Sequence, residues 1–227
     1  SDPVLQEKAL RAMRNLSAQC EENKLELANI GGIDAVVTAM QVHRDISGIQ
    51  EAGAWALTNM AGNADVKVLI GDCGGIDVII RAMWVHSDSS TVQEWSCRAL
   101  YTLSLDRKNS SMVLQVGGIS AVVNAMQAHS DSSVVQEMGC AILCNLAVDQ
   151  ACKMRVVDEE ALDAIVLAMV LHGECFKVQE CACQVLLQLA IMENFKAMQA
   201  SNIGELVRVA AERFPQNCDE PARRLLY

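Results

Sequence analysis

Histidine and cysteine are the residue types in this chain best suited to metal or nucleophile chemistry, and their spacing is regular. The four histidines, His43, His86, His129 and His172, recur every 43 residues, each three residues after a methionine: Met40, Met83, Met126 and Met169. A zinc ion needs its ligands within about 2 Å, whereas a fixed period of this length puts successive histidines in successive helical layers roughly 8–10 Å apart. A shared metal site is therefore not expected. Each histidine reads instead as closing the last turn of a helix, where a donor meets free carbonyls. Of the ten cysteines, Cys97, Cys140 and Cys183 share the 43-residue interval and read as small, soft packing residues. Cys140 with Cys144, and His172 near Cys175, fall short of a four-ligand set. Without a phosphate-binding glycine loop, a nucleophile elbow or paired carboxylates placed after a strand, no enzyme activity, cofactor or metal is expected.

The elements that carry these residues follow from the same period. Gln-Glu recurs at Gln6-Glu7, Gln50-Glu51, Gln93-Glu94, Gln136-Glu137 and Gln179-Glu180, and Gly-Gly-Ile at Gly31, Gly74 and Gly117. Within one unit, Val92, Ser96, Ala99, Leu100 and Leu103 have the spacing of one buried helical face, predicting a long inner helix over 92–104. Ile49, Gly53, Ala56, Leu57 and Met60 repeat that face one unit earlier. A short second helix over 110–116 is predicted to end at the glycine pair, one glycine supplying a left-handed cap and the other a tight turn. A third helix over 119–129 buries Ile119, Val122, Val123 and Met126, and the following Ser-Asp-Ser-Ser loop offers N-caps to the next inner helix. In the fourth unit Glu159-Glu160-Ala161 replaces the glycine pair, so the local turn should differ. Units this small bury their apolar faces only by stacking on neighbours.

Three helices in about 43 residues, the Gly-Gly-Ile turn, and the run from Glu51 through Trp55 to Asn59 together resemble the armadillo repeat family over essentially the whole chain. The Trp-x-x-x-Asn inner-helix motif of importin-alpha is matched at Trp55 and Asn59. The resemblance implies an all-α, right-handed superhelical α-solenoid of three-helix armadillo repeats in a single domain, 1–227. The repeats fall at 1–45 (a partial first repeat), 46–88, 89–131, 132–174 and 175–216, with 217–227 beginning another. Ser1-Asp2-Pro3 and Asp219-Glu220-Pro221 both look like helix starts, so the chain is expected to be cut from a longer stack.

In one inner helix, Glu94, Arg98 and Thr102 lie on a stripe opposite the buried face. The resemblance implies that this stripe lines a concave groove with five rungs: Glu7, Arg11, Asn15; Glu51, Trp55, Asn59; Glu94, Arg98, Thr102; Glu137, Ala141, Asn145; and Glu180, Gln184, Gln188. An asparagine amide both donates and accepts, so it can pair with the backbone of an extended peptide. Trp55 and Trp95 would supply walls for an aliphatic stem or a cation, and the glutamates would favour Lys or Arg on the ligand. The candidate site is thus Asn15, Glu51, Trp55, Asn59, Glu94, Trp95, Arg98, Thr102, Glu137, Asn145 and Gln188. The same residues have a second reading, in which asparagines satisfy loose carbonyls at helix ends and Glu7–Arg11 and Glu94–Arg98 pair within their own helices.

A net charge of -10 disfavours phosphate binding, which depends on Lys and Arg; no nucleic-acid partner is expected. No apolar run approaches the roughly 20 residues of a membrane span, and the absence of a targeting segment or a disulfide pattern points to the cytoplasm or nucleus. The leading expectation is a protein-interaction module binding an extended basic or mixed peptide. The alternative is a scaffold or regulatory segment docking a folded partner on its convex or terminal surfaces, with Trp84, standing where other repeats have Gln41 and Gln127, as a contact. The chain is expected to be monomeric, or weakly self-associating through exposed end repeats.

Overall fold

A computed structural model describes residues 2–148, 150–158, 160–190 and 202–226. The described secondary structure is entirely helical and divides into two compact units, Ser1–Ala121 and Val122–Tyr227.

The first unit holds α1 (Pro3–Ser17), α2 (Glu21–Asn29), α3 (Gly32–Val42), α4 (Ser47–Met60), α5 (Ala64–Asp72), α6 (Gly75–Val85), α7 (Ser90–Ser104), α8 (Arg107–Gln115) and the first turn of α9 (Gly118–Ala128). Helices α1, α4 and α7 are the inner helices, packed directly on one another in that order. Ile49, Ala56, Leu57, Met60, Val92, Ala99, Leu100 and Leu103 are all fully buried, which is the face predicted from their spacing. Capping fixes where the helices begin. Asp2 accepts from the Val4 amide ahead of Pro3, Asn63 accepts from Asp65 and Val66, and Asp106 accepts from Asn109, each satisfying donors that the helix cannot. Asp106 therefore starts α8 at Arg107, three residues before the expected position.

The two glycines of each turn have different jobs. Gly31, Gly74 and Gly117 adopt φ of 82°, 81° and 79°, where a side chain is strained. The glycine after each meets the preceding short helix so closely that a Cβ on Gly32 would lie 2.5 Å from the Leu27 carbonyl oxygen.

The second unit contains the rest of α9, α10 (Ser133–Leu146), α11 (Gln150–Asp158), α12 (Ala161–Leu171), α13 (Phe176–Leu189), α14 (Ile203–Arg213) and α15 (Pro215–Leu226). Its inner helices are α10, α13 and α15, with Val135, Ile142, Leu143, Val178, Val185 and Leu186 fully buried. Where the glycine pair is replaced, the turn survives: Glu160 itself takes φ 61° and Ala161 is fully buried behind it. Asn202 does the same before α14, at φ 53°.

Three further details differ from the sequence reading. The helix start expected at Asp219-Glu220-Pro221 lies inside α15, which already begins at Pro215. Ser132 caps α10 through the Val135 amide, but Ser89 at the equivalent place makes no such bond to α7. The rings of His86 and His172 do not serve their own helix ends. Nε2 of His86 lies 2.7 Å from the carbonyl oxygen of Arg44, and that of His172 lies 2.8 Å from the Ser130 carbonyl oxygen, so each bridges to the loop one repeat earlier.

That structural task belongs more generally to the glutamine of the recurring Gln-Glu pair. Nε2 of Gln50 donates to the Met40 and His43 carbonyls, Gln93 to Met83 and His86, Gln136 to Met126 and His129, and Gln179 to Met169 and His172, all at 2.8–3.1 Å. Carbonyls in the last turn of a third helix have no intrahelical donor. The next inner helix supplies it.

Candidate functional site

The half-buried stripe of the inner helices in the first unit gathers aromatic and cationic side chains. Trp55 on α4 and Trp95 on α7 stack with ring centroids 3.7 Å apart and planes 11° from parallel. Arg14 on α1 lies 4.0 Å over the free side of Trp55, and Arg98 on α7 lies 5.3 Å from the Trp95 ring. The result is a column, Arg14–Trp55–Trp95–Arg98, drawn from three successive inner helices. Stacked aromatic pairs contribute about 0.5–1.5 kcal/mol beyond their buried area, and cation–π contacts a similar amount.

The structure brings Trp55, Trp95 and Arg98, three of the residues expected to line a groove, into this column. Trp55 is covered on one side by Arg14 and on the other by Trp95, so it offers no open wall to a cation from a ligand. Arg14 was missed. The signal was available, since Arg14 and Trp55 lie on neighbouring inner helices.

Asn59 shows the same inward turn. Its Nδ2 donates to the carbonyl oxygen of Arg14 at 2.9 Å, so Trp55 and Asn59, one helical turn apart, together grip one residue of the preceding inner helix. Asn59 keeps its second amide hydrogen and its oxygen. Arg14 Nε donates to Asn15 Oδ1 at 3.1 Å, and Thr102 donates to the Arg98 carbonyl of its own helix. Glu7 and Arg11 form an intrahelical ion pair at 2.7 Å, as the i, i+4 spacing predicts. Glu51 and Glu94 stay half-buried on the same stripe. The thiol of Cys97, one turn from Glu94, is pushed up to about 12, first by burial and then by that carboxylate.

The remaining candidates, Glu137, Asn145 and Gln188, belong to the second unit. Glu137 and Asn145 are half-buried on α10, and Gln188 is exposed on α13. Cys181 on α13 is raised to about 12 by burial, then by the nearby charges of Glu137 and Glu180. Among the described residues, no three His, Cys, Asp or Glu side chains converge as a metal site would require, and no helix is long and apolar enough to cross a membrane.

With the stripe defined, comparison with known proteins places the fold. No curated protein matches the chain in sequence. Among solved structures, an engineered protein superposes with a TM-score of 0.86 at 21% identity, covering 100% of this chain and 94% of that one. A designed armadillo repeat protein gives 0.81 at 14% identity over 96% of this chain and 92% of the other. A structure of computationally designed armadillo repeat proteins for modular peptide recognition gives 0.84 at 15%, covering 96% and 91%. At these identities the likeness is one of fold alone: an all-α armadillo solenoid. The sequence itself carries the family assignment, because the model of the LRRK2 ARM repeat matches residues 1–218, nearly the whole chain, and the chain therefore belongs to the LRRK2 ARM repeat family.

Proposed function

We propose that the first unit is a protein-interaction module whose inner-helix stripe receives an extended segment of mixed charge from another protein, centred on the Arg14–Trp55–Trp95–Arg98 column. The column is the observation that carries this reading. Neither indole N–H of Trp55 or Trp95 has a hydrogen-bond partner among the described residues, although half-buried tryptophans commonly satisfy that donor. Two indole donors, the free oxygen and second hydrogen of Asn59, and the guanidinium groups at both ends of the column offer both kinds of group to a peptide backbone and its acidic side chains. Glu51 and Glu94 on the same stripe offer partners to basic ones. A preference for purely basic peptides loses its main support, because the aromatic faces already hold the chain's own arginines. A structure with the same fold comes from armadillo proteins designed for peptide recognition, which is consistent with such a role and specifies no ligand here. The module has no proposed catalytic role.

The test is a titration of the purified chain with extended peptides graded from acidic through mixed to basic, at low and physiological salt, read by tryptophan fluorescence and by calorimetry. Mixed peptides should bind best, and Trp95→Ala, which removes an indole donor and the centre of the column, should weaken them about tenfold, a loss of about 1.4 kcal/mol in the range of aromatic anchors at interfaces. Binding untouched by Trp95→Ala but lost with Trp84→Ala would favour the outer surface. There Trp84 and Val85 are 47% and 45% exposed, the observation favouring a folded partner instead.

A further inference from the structure

One place on the outer surface, where the first repeat meets the second, departs from the pattern of the rest of the chain. Arg44, in the loop after α3, aligns by sequence with Ser87, Ser130 and Gly173, and Arg81 on α6 aligns with Thr38, Asn124 and Leu167. Trp84 stands where the other repeats have Gln41, Gln127 and Val170. A stack whose core repeats every 43 residues has no packing need for two cations and an indole here, and all three side chains are exposed.

The fold brings these residues together. Arg44 and Arg81 line one shallow cleft between the end of α3 and α6, with Gln41 and Val85 beside them. Trp84 and Val85 follow Arg81 by three and four residues, so the three are neighbours on the surface of α6, and the two apolar side chains are 47% and 45% exposed. The backbone beneath Arg44 is tied to the second repeat, because its carbonyl oxygen lies 2.7 Å from His86 Nε2.

Neither guanidinium is fully compensated. Arg44 Nε lies 3.8 Å from the carboxylate of Asp45, too far for a hydrogen bond. Arg81 makes no ion pair among the described residues, although Asp77 precedes it by four residues on α6 and Asp88 follows in the next loop. The Gln41 amide likewise makes no side-chain hydrogen bond among the described residues. In a chain of net charge -10, two like charges therefore converge on one cleft beside an exposed apolar pair.

We propose that this cleft binds an acidic segment of a partner protein, its carboxylates held between Arg44 and Arg81 and a neighbouring large apolar side chain lying against Trp84 and Val85. Guanidinium groups make charge-assisted, bidentate bonds to carboxylates, and complementary charge orients the partner as it arrives. The apolar pair selects a protein segment over a nucleic acid, which the net negative charge of the chain also disfavours. Both repeats that form the cleft are present, and it shares no residue with the inner stripe.

The probe is a short fluorescent peptide of glutamates around a single leucine, with its glutamine counterpart as control and anisotropy measured against the purified chain. Saturable one-to-one binding of the glutamate peptide is expected at low salt, weaker at physiological salt. The double variant Arg44→Gln/Arg81→Gln should weaken it at least about tenfold, and Trp84→Ala several-fold. All three positions are exposed, so the variants should keep the parent's helical circular dichroism and melting temperature. Absence of saturable binding up to about millimolar peptide, equal binding of the glutamine peptide, or indifference to the double variant overturns the proposal. Loss of binding with Trp95→Ala but not with the double variant moves the peptide to the inner stripe and overturns it too, as does tighter binding of a single-stranded oligonucleotide than of the peptide.

Discussion

Gln50 donates both hydrogens of its amide nitrogen to carbonyls at the end of α3 from a position 1% exposed, so alanine there takes the side-chain donor from the Met40 carbonyl and leaves the His43 carbonyl only the Ile46 amide. Gln50→Ala should cost about 2 kcal/mol, seen as a lower urea midpoint at unchanged slope. Gln6→Ala, at the unpartnered copy of the same position, should leave the midpoint where it is. For the tryptophans the check is optical: rings stacked at 3.7 Å couple their transitions, so the far-ultraviolet circular dichroism should carry an exciton couplet that Trp95→Phe removes while the helical signal persists. At this scale the sequence marked the recurring residues but not what they hold. Asn59 and Trp55 were legible as a motif, whereas their grip on Arg14 spans 45 residues. The glutamines were legible as a period mark, but the direction of their side chains toward helix-end carbonyls is a fact of packing that periodicity does not encode.

Helices and turns were more readily anticipated, because hydrophobic spacing and glycine punctuation are local. The buried faces of α4 and α7 follow the 3.6-residue period, and the largest shift in a helix start is that of α8, where the Asp106 cap recruits an extra turn. The turn before α12 is informative because its sequence breaks the rule and its backbone keeps it. Glu160 occupies the left-handed region at φ 61°, which is unfavourable by roughly 1–2 kcal/mol for a residue with a Cβ. Glycine relieves that strain while adding freedom to the unfolded chain. Glu160→Gly should therefore stabilise the protein by about 1 kcal/mol, measured as a higher melting temperature, and Gly74→Ala, made at φ 81°, should destabilise it by a comparable amount. Stacking, not the turn residue, dictates this conformation.

The whole molecule stores its ten cysteines unequally. Cys97 and Cys181 are raised to about 12, chiefly by burial, and burial also raises Cys140. In the unfolded chain a thiol ionises near its ordinary value, so above that pH the unfolded state binds fewer protons than the folded one. Stability contributed by these thiols is fully present below about pH 9 and fades as pH climbs toward 12. Urea midpoints measured across that window should fall, and Cys97→Ser with Cys181→Ser should flatten the fall. The armadillo architecture was legible at this scale because one period runs through the chain, while thiol burial depends on which helix covers which and was legible only in part.

The backward reach of the glutamines also gives the stack an order in time. Residues 32–42 form a third helix whose Met40 carbonyl is completed by Gln50, which also shares the His43 carbonyl with the Ile46 amide, and the same relation recurs through Gln179. During synthesis, which delivers roughly 5–20 residues each second from the N-terminus, every repeat must wait for the inner helix that follows it before its own helix end is sealed. Folding on the ribosome should consequently trail translation by one helix, and a pause just before any of these glutamines would hold the newest repeat open.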